Sequence, residues 1–383
     1  MLKEHYATFF AAIGDELHVT AHSHHPWPDV TRAAQVQYWE DSARLTNRKW
    51  QAKVFGAAVP EAQGHVARHL GLPDPKLVAF APNTHELVAR LYSCLDWSRR
   101  PRVLTTANEF HSFGRQTRRL EETGRLDVVR VPVEPYATFR ERFRAALAGR
   151  FDLVFLSQVF FDSGFVVERL DDLIGGVPAE TIVAVDGYHA FMAIPVNLGG
   201  LGARIFYMAG GYKYAQAGEG ACFMSIPQAC TLRPAFTGWF SDFGRLSGAQ
   251  GEVIGYGEDA MRFWGSTFDA SGLYRFNAVM RWLRELGLTA REIHAHVARL
   301  ERRFLDGLAL TRLPRSALTP PEGSPRGSFL TFDLADGENV ERRLADRGII
   351  VDRRGRRVRF GFGLYHDDAF VDTLLARLRE ALG

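Results

Sequence analysis

The residues that could do chemistry are concentrated between positions 182 and 224, where charged side chains follow two apolar runs. Asp186 comes directly after the run Ile182 to Val185, and His189 follows three positions later. Lys213 follows Gly210-Gly211 and Tyr212, shortly after the run Ile205 to Met208. The chain has five lysines among its 47 basic residues, and Lys213 is the single lysine after position 76. Because an arginine guanidinium stays protonated and cannot act as an amine nucleophile, a lysine kept here suggests that an amine is needed.

The pairing of this aspartate with this lysine predicts a particular cofactor. In an open α/β sheet, ligands bind beyond the carboxyl ends of the strands, so Asp186 would point into the ligand crevice. A lysine on a nearby turn can hold an aldehyde as a Schiff base, and an aspartate can keep a pyridine nitrogen protonated. Pyridoxal phosphate (PLP) needs both groups, because its protonated ring is the electron sink for a substrate carbanion. The alternative is a structural aspartate at a strand end and a surface lysine.

Three other segments could complete such a site. Thr84 and His85 lie between a predicted strand and a predicted helix, where a hydroxyl group and free helix amides could hold a phosphate. Phe110 follows another predicted strand and could stack on a flat cofactor ring. Arg359 precedes an apolar strand near the C-terminus, and its guanidinium could bind a substrate carboxylate through two hydrogen bonds. The simpler interpretations are a helix cap, a core phenylalanine and a surface ion pair.

The elements that must position these residues are predicted from short apolar runs. The runs are near-continuous, as a sheet covered on both faces requires, and helical stretches separate most of them. Residues 76 to 226 are therefore predicted to form a mostly parallel α/β sheet. The seven runs are Leu77 to Phe80, Val103 to Thr105, Val128 to Val131, Leu153 to Leu156, Ile182 to Val185, Ile205 to Met208 and Ala221 to Ser225.

The two ends of the chain differ from this central part. Beyond position 273, two helices and a Pro-rich loop precede short strands and helices, among them a strand over Ile349 to Asp352, which predicts a smaller α+β domain. The N-terminal segment is expected to hold an extended entry and one long helix. We therefore expect an entry segment at 1–70 that packs across the domains, a large cofactor-binding domain at 71–272 and a small C-terminal domain at 273–383.

Several motifs, in this order along the chain, resemble the class V branch of the fold-type I PLP-dependent enzymes. They are Asp186 with His189, Tyr212-Lys213-Tyr214, Ala217-Gly218 and Gly238-Trp239-Phe240. Within that branch the chain is most similar to kynureninase, and the resemblance extends more weakly from about residue 18 to the C-terminus. It implies the fold-type I transferase fold, in which a large domain with a mostly parallel seven-stranded sheet stands beside a smaller C-terminal α+β domain.

The resemblance also implies a role for each candidate residue. Lys213 would bind the cofactor and act as the catalytic base, assisted by Tyr212, and Arg359 would bind the substrate carboxylate. Trp239 and Thr267 match segments that a neighbouring subunit lends to the site, so a homodimer with shared active sites is implied. The residues expected to bind PLP are Thr84, His85, Phe110, Asp186, His189, Tyr212, Lys213, Trp239 and Thr267.

The reaction implied by the resemblance is kynureninase-like hydrolysis of the Cβ–Cγ bond of an L-α-amino acid, which releases alanine and an aryl acid. Two positions depart from the kynureninase pattern, since Ser266-Thr267 replace an asparagine and Phe113 replaces an aspartate. The alternatives are a class V aminotransferase, an amino-acid β-lyase that cleaves a C–S bond, and a PLP-free binding protein with this fold. Cysteine desulfurases share the fold, but they need a nucleophilic cysteine in the small domain, and the stretch Arg312 to Arg326 has none.

The composition limits the classes of partner that the protein is expected to bind. Hydrophobic residues make up 46% and charged residues 24% of the 383 residues, which excludes a disordered chain. No apolar stretch approaches the roughly 20 residues that span a bilayer, so no membrane partner is expected. The 44 acidic residues are interleaved with the basic ones and leave a net charge of +3, so no nucleic-acid partner is expected. Three cysteines without a spaced framework predict a reducing, cytoplasmic location.

The histidine cluster His22, His24 and His25 is the remaining chemical signal. Three imidazoles in four residues could bind a metal, but adjacent ligands on an extended chain rarely converge on one ion. No metal site is therefore predicted. The segment is expected either to line the substrate entrance, as the entry loop of class V enzymes does, or to form a plain loop.

Overall fold

The computed structural model describes residues 2–245 and 252–383. Among these residues no helix is both long enough and apolar enough to cross a bilayer. The α-helices are α1 Ala7–Ile13, α2 Val30–Leu45, α3 Val59–Leu70, α4 Thr84–Tyr92, α5 His111–Glu122, α6 Phe139–Ala146, α7 Leu170–Ile174, α8 Ser271–Glu285, α9 Ala290–Gly307, α10 Gly337–Ala345 and α11 Asp368–Leu382. The strands are β1 Leu17–His18, β2 Val78–Ala81, β3 Arg102–Thr106, β4 Asp127–Val131, β5 Leu153–Ser157, β6 Ile182–Asp186, β7 Phe206–Gly210, β8 Cys222–Ser225, β9 Leu330–Asp333, β10 Ile349–Ile350, β11 Asp352–Arg354 and β12 Arg357–Phe360.

The large sheet has seven strands in the order β2-β8-β7-β6-β5-β3-β4. Its strands are parallel except β8, which pairs antiparallel with both β2 and β7. Strands such as β2 and β5 are buried along their whole length, as expected where helices cover both faces. The predicted mostly parallel seven-stranded sheet is confirmed, and each of the seven apolar runs forms one of its strands.

Helix α5 shows how the covering layer is fixed to this sheet. The ring of Phe113 on α5 stacks on Phe155 of β5, with the ring centroids 3.7 Å apart and the planes at 6°. Tyr92 at the end of α4 also stacks on Phe113, and its hydroxyl group lies 2.6 Å from Thr117 Oγ1. Aromatic packing of this kind anchors the two helices that begin beside the candidate site.

The small domain is built on the antiparallel sheet β11-β12-β9 and helices α9, α10 and α11. The expected strand over Ile349 to Asp352 is divided in two, because the chain changes partners at Val351. Before this residue β10 pairs parallel with β1, and after it β11 pairs antiparallel with β12. The N-terminal segment is therefore joined to the small domain, and Leu17 and Val19 belong to the apolar core of that domain.

The rest of the N-terminal segment differs from the single long helix that we expected. Helix α2 ends before Thr46, whose positive φ of 50° breaks the helix, and a π-helix at Trp50–Ala58 then leads into α3. Helix α2 packs on α8, and the buried apolar residues of α3 and α8 belong to the core of the large domain. The segment bounds at 70 and 272 stay a prediction.

Candidate active site

The candidate site is a cavity of about 200 Å³ at the carboxyl ends of β3, β5 and β6. This is the edge of a parallel sheet at which ligands are expected. Six of the predicted residues line it: Thr84, Phe110, Asp186, His189, Tyr212 and Lys213. The other lining residues are Pro82, Asn83, Ser112, Ser157, Val159, Phe161, Tyr188, Glu219, Gly220 and Cys222.

The amine of Lys213 is buried in this cavity and lies 2.6 Å from His189 Nε2. Burial, with a smaller contribution from Arg359, lowers the pKa of Lys213 to about 7, although the charge of Asp186 opposes the change. The pKa of His189 is lowered well below its usual range by burial and by the charge of Lys213, so its ring is neutral. A lysine amine that is partly neutral near pH 7 can act as a nucleophile and as a base.

Asp186 ends β6 and lies beside Ser157 of β5 in the parallel register. One of its oxygens, Oδ1, accepts a hydrogen bond of 2.9 Å from the backbone N–H of Tyr188. Burial raises the pKa of Asp186, while this hydrogen bond and the Lys213 charge act in the opposite direction. The carboxylate is thus fixed at a strand end with an ammonium group in the same cavity.

The sequence analysis missed Ser157, which lines the cavity, and Glu109, which forms hydrogen bonds with Ser157. Glu109 accepts hydrogen bonds from the hydroxyl groups of Thr106 and Ser157, each at 2.6 Å, and from the Ser157 amide at 3.2 Å. Burial raises the pKa of Glu109 to about 8, and Asp186 contributes in the same direction. Ser157 could have been found, because it ends a predicted parallel strand next to the strand of Asp186. For Glu109 the only signal was its place before Phe110.

Phe110 and the start of α4 both line the cavity. The ring centroid of Phe110 lies 5.2 Å from Lys213 Nζ. Thr84 opens α4 and is buried, and Asn83 caps this helix by accepting a hydrogen bond of 3.0 Å from the Glu86 amide. His85 does not line the cavity, since its exposed ring lies against Gln116 Nε2 at 2.9 Å. The Thr84 and His85 side chains therefore point in different directions from the first turn of α4. Of these two residues, only Thr84 lines the cavity.

Arg359 lies outside the cavity lining but next to it. Its side chain is 2% exposed, Nη1 donates to the Phe161 carbonyl, and Nη2 donates to Asp352. Its guanidinium stands 5.9 Å from the ring of Phe329, and that ring is 5.5 Å from the His189 ring. The ring of Phe329 therefore separates Arg359 from His189 and from the Lys213 amine beside it.

Trp239 and Thr267 lie away from the cavity in the single chain. Trp239 is 45% exposed and packs on Phe240, with the ring centroids 4.1 Å apart. Thr267 is exposed, and neither residue lines the cavity. The two segments are joined to each other, since the Phe240 amide donates a hydrogen bond of 3.1 Å to the Gly265 carbonyl. A side chain at Gly238 would collide with this carbonyl, which would lie only 2.1 Å from its Cβ.

The histidine cluster does not converge on a common point. His22 and His25 are buried, while His24 is exposed and lies 5.6 Å from the Tyr212 ring. Among the described residues no group of three or more histidine, cysteine, aspartate or glutamate side chains could hold a metal ion. His22 instead stacks on Phe329 at 4.8 Å, which places the entry segment next to Arg359.

The three cysteines are all free, and only Cys222 lines the cavity. The Cys222 sulfur lies 3.2 Å from the Tyr188 hydroxyl group, and burial raises the pKa of its thiol to about 12. Because the thiolate is the nucleophile, a buried thiol with such a pKa is inert at neutral pH. Burial also raises the pKa values of Cys94 and Cys230.

The residues of the cavity fit PLP. Lys213 supplies a partly neutral amine for an aldehyde, Asp186 supplies a carboxylate for a pyridine nitrogen, and Phe110 supplies a ring face. The N-terminus of α4, at Thr84, is suited to a phosphate. In addition, His189 Nδ1 is buried and has no hydrogen-bond partner in the described part of the chain, so it remains available to a polar group of the ligand.

Comparisons with known proteins agree with this assignment. No curated protein matches the chain in sequence. The structure is similar to that of the cystine C–S lyase C-DES in complex with cysteine persulfide, at 19% identity and a TM-score of 0.81, over 97% of this chain and 99% of that one. A C-DES mutant with glycine covalently linked to PLP aligns at 18% identity and a TM-score of 0.82, over 98% of each chain. The cysteine desulfurase CsdA from Escherichia coli aligns at 17% identity and a TM-score of 0.78, also over 98% of each chain.

These likenesses show the fold-type I architecture, and a sequence model adds the family. The model described as Aminotransferase class-V matches residues 19–367, which is nearly the whole chain. This chain therefore belongs to the class V aminotransferase family and is a PLP-dependent enzyme.

Proposed function

We propose that this enzyme is a β-lyase that cleaves a C–S bond in an L-α-amino acid and releases pyruvate, ammonium and a thiol or persulfide. The observation that carries the proposal is the buried Lys213 amine, 2.6 Å from His189, in a site without a reactive cysteine. The description of C-DES as a cystine C–S lyase supports the choice of reaction.

When bound, PLP supplies an electron sink that lowers the energy of a carbanion at the substrate Cα. Lys213 removes the α-proton as general base, since its amine lies in the cavity and is partly neutral near pH 7. The electron pair of the broken C–H bond expels the β-sulfur as a thiolate, which then takes up a proton. Water hydrolyses the remaining three-carbon fragment to pyruvate and ammonium, so atoms and charges balance.

His189 and Tyr212 are placed to assist these proton transfers. The neutral His189 ring accepts a hydrogen bond from Lys213 and therefore orients the amine. The Tyr212 ring lies 5.7 Å from Lys213 Nζ, and burial raises the pKa of its hydroxyl group to about 12. Tyr212 thus stays protonated at neutral pH and can donate a hydrogen bond to a leaving thiolate.

Arg359 is proposed to bind the α-carboxylate of the substrate. Its Nε is buried and has no hydrogen-bond partner among the described residues, so it remains free for a ligand oxygen. A carboxylate bound there would turn the Cα–H bond toward the cavity that holds Lys213. This orientation is the part of catalysis that positioning supplies.

Desulfuration through a cysteine nucleophile is a poorer match to this site. The stretch Arg312 to Arg326 contains no cysteine. It is also joined to the large domain, since Val166 N donates to the Pro325 carbonyl at 3.2 Å and Gly327 N donates to the Gly164 carbonyl at 2.8 Å. A loop held in this way does not deliver a thiol to the substrate.

The kynureninase-like reaction and transamination stay as alternatives. Phe113, which replaces an aspartate of the kynureninase pattern, is 2% exposed and packed in the core, so it offers no polar group to an aryl substrate. Ser266-Thr267 are exposed and outside the cavity of this chain. These two positions give the hydrolytic reaction no support beyond the resemblance.

The experiment that tests the proposal is product analysis by mass spectrometry with the PLP-loaded protein. We expect L-cystine to give pyruvate, ammonium and cysteine persulfide. Alanine with anthranilate from L-kynurenine would replace the proposal by hydrolytic Cβ–Cγ cleavage. A keto acid formed in equal amount to the aminated cofactor would replace it by transamination.

A variant with a matched control ties the reaction to the site. Lys213→Ala should abolish product formation and the visible absorbance of the bound cofactor. Lys76→Ala, which removes an exposed lysine far from the cavity, should keep both. Full activity in the Lys213→Ala protein would refute the assignment of the lysine.

We also propose that the enzyme is a homodimer in which Trp239 and Thr267 approach the cavity of the partner subunit. Support comes from large apolar side chains that are exposed in the single chain near this segment. They are Phe236 at 65%, Trp239 at 45%, Val253 at 71% and Ile254 at 60%. Exposed apolar groups in one region are typical of an interface.

A further inference from the structure

One carboxylate of the small domain lies directly against the guanidinium that the proposed function assigns to the substrate. Asp352 on β11 stands opposite Arg359 on β12 in the antiparallel register, and it accepts a hydrogen bond from Arg359 Nη2. The pair is enclosed, since the two side chains are 12% and 2% exposed. A guanidinium buried without a counter-charge is unfavourable, so Asp352 stabilises the charged form of Arg359 at this depth.

The hydrogen bonds of Arg359 leave one edge of its guanidinium open. Nη1 donates to the Phe161 carbonyl and Nη2 donates to Asp352, while the buried Nε has no hydrogen-bond partner among the described residues. A guanidinium has five N–H donors, so three hydrogens remain here, one each on Nε, Nη1 and Nη2. The Nε hydrogen and the remaining Nη2 hydrogen can together meet a ligand. Two adjacent donors in one plane match the two oxygens of a carboxylate.

The charged groups around Arg359 have a net positive charge that one further negative group would neutralise. Asp352 Oδ1 lies 3.0 Å from Arg354 Nη1, so one carboxylate is shared between two guanidinium groups. His22 Nε2 is 3.6 Å from Asp352 Oδ2, and burial together with Arg359 lowers the pKa of His22 to about 3, so the ring is neutral. Asp352, Arg354 and Arg359 therefore carry one net positive charge, which a single substrate carboxylate neutralises.

We propose that Asp352 is the positioning residue for Arg359. It holds the guanidinium by Nη2, so that the Nε edge faces the substrate, and it leaves one net positive charge for one carboxylate. This inference rests on the proposed function, which places the substrate α-carboxylate at Arg359. It deepens that function, because it states that the substrate presents a single carboxylate at this point.

The test compares two ligands in the PLP-loaded protein and its Asp352 variants. L-alanine has the carboxylate, and ethylamine is the same amine without it. Binding is followed by titration, through the change that each ligand causes in the visible absorbance of the cofactor. Asp352→Ala should weaken L-alanine binding by about tenfold or more, the range expected when a charge-assisted hydrogen bond loses its geometry. Ethylamine binding should change much less, because this ligand does not reach Arg359 and Asp352 has only a minor charge effect on Lys213.

The milder variant Asp352→Asn keeps an oxygen that can accept a hydrogen bond from Nη2. It should weaken L-alanine binding by only about threefold, since the hydrogen bond that fixes the guanidinium is retained but is no longer charge-assisted. The matched control is Asp333→Asn on β9 of the same sheet, whose carboxylate pairs with Arg356 Nε at 2.8 Å. This control should bind both ligands as the parent does.

The outcomes separate the inference from the proposed function. If L-alanine binds the parent and both Asp352 variants equally well, Asp352 is not a positioning residue, and the role of Arg359 is untouched. If the variants lose L-alanine and ethylamine to the same degree, the effect is structural and the inference is also overturned. If the parent itself binds L-alanine no better than ethylamine, both the inference and the carboxylate role of Arg359 fail. Should Asp352→Ala not fold, as judged by circular dichroism, the Asp352→Asn titration decides by the same criteria.

Discussion

At the scale of single residues, the pKa of Lys213 makes a prediction about cofactor capture. Only a neutral amine attacks an aldehyde, and burial lowers the pKa of Lys213 to about 7. The neutral fraction therefore rises as the pH passes through about 7 and is nearly complete well below the usual value of 10.5. We expect the rate at which apo protein captures PLP, measured by stopped-flow absorbance, to rise through pH 7 and then level off.

Asp186 provides the control for this pH profile, because its charge raises the pKa of Lys213 while Arg359 lowers it. Asp186→Asn removes the raising charge, so the midpoint of the profile should move to lower pH. The other charged or titratable groups that act on the amine, namely His189, Asp352 and Arg354, are left in place. A midpoint near 10, or one that does not move in Asp186→Asn, would contradict this account of Lys213.

Glu301 on α9 gives a prediction about stability. Burial raises the pKa of its carboxyl group to about 8, and Oε1 has no hydrogen-bond partner in the described residues. The folded protein thus holds a proton that the unfolded chain releases near pH 4.5, so stability falls as pH rises from about 4.5 to about 8. Glu301→Gln stays neutral, and by urea denaturation it should be about 2–4 kcal/mol more stable than the parent at pH 8.5 and nearly equal at pH 4.5.

The control for the Glu301→Gln variant is the same substitution at the exposed Glu285, which lies at the end of α8. Glu285→Gln should show no gain in stability between the same two pH values. If the free energy of unfolding of Glu301→Gln differs from that of the parent by the same amount at both pH values, the Glu301 carboxyl group of the folded parent is already charged at pH 8.5.

At the scale of elements, the start of α9 is fixed by a capping box. The Thr289 hydroxyl group accepts a hydrogen bond of 3.2 Å from the Arg291 amide, and Glu292 Oε2 accepts one of 3.0 Å from the Thr289 amide. Thr289→Ala should lower the free energy of unfolding by about 1 kcal/mol, the usual cost of a lost cap. Because the two bonds are reciprocal, Thr289→Ala and Glu292→Ala together should cost less than the sum of the single variants. If the losses of unfolding free energy in the two single variants add up in the double variant, the two hydrogen bonds are independent and do not act as a capping box.

The elements also show what the sequence could predict and what it could not. The seven strands of the large sheet could be predicted, because runs such as Leu153 to Leu156 are apolar at every position and are separated by helical patterns. The meeting of Asp186 and Lys213 in one cavity could be predicted, because each residue follows one of those strands. The break at Thr46 was not readable, since it depends on a single backbone angle. The division at Val351 depends on pairing with β1, which is more than 300 positions away, and short-range patterns carry no signal for such pairing.

At the scale of the whole molecule, the two arginines on one face of β12 join the small domain to the large one. Arg359 donates to the Phe161 carbonyl, and Arg357 Nη1 pairs with Asp162 at 2.6 Å. Residues two apart on a strand point to the same face, so one surface of β12 is directed at the loop beyond β5. That loop also supplies Phe161 to the cavity lining. A shift of the small domain would therefore move the carboxylate site and the cavity wall together.

The largest-scale prediction concerns the assembly that the exposed apolar residues imply. Trp239 packs on Phe240 and Phe243 in its own chain, yet it remains 45% exposed, which leaves an indole face for a partner. We expect the parent to have the mass of a dimer by light scattering. Trp239→Glu should weaken the dimer about tenfold or more, because a buried charge replaces an aromatic anchor at the interface. The control is Leu310→Glu, which changes an exposed apolar residue of the small domain and should leave the dimer intact. If the Trp239→Glu dimer is as stable as the parent dimer, Trp239 does not lie at the interface.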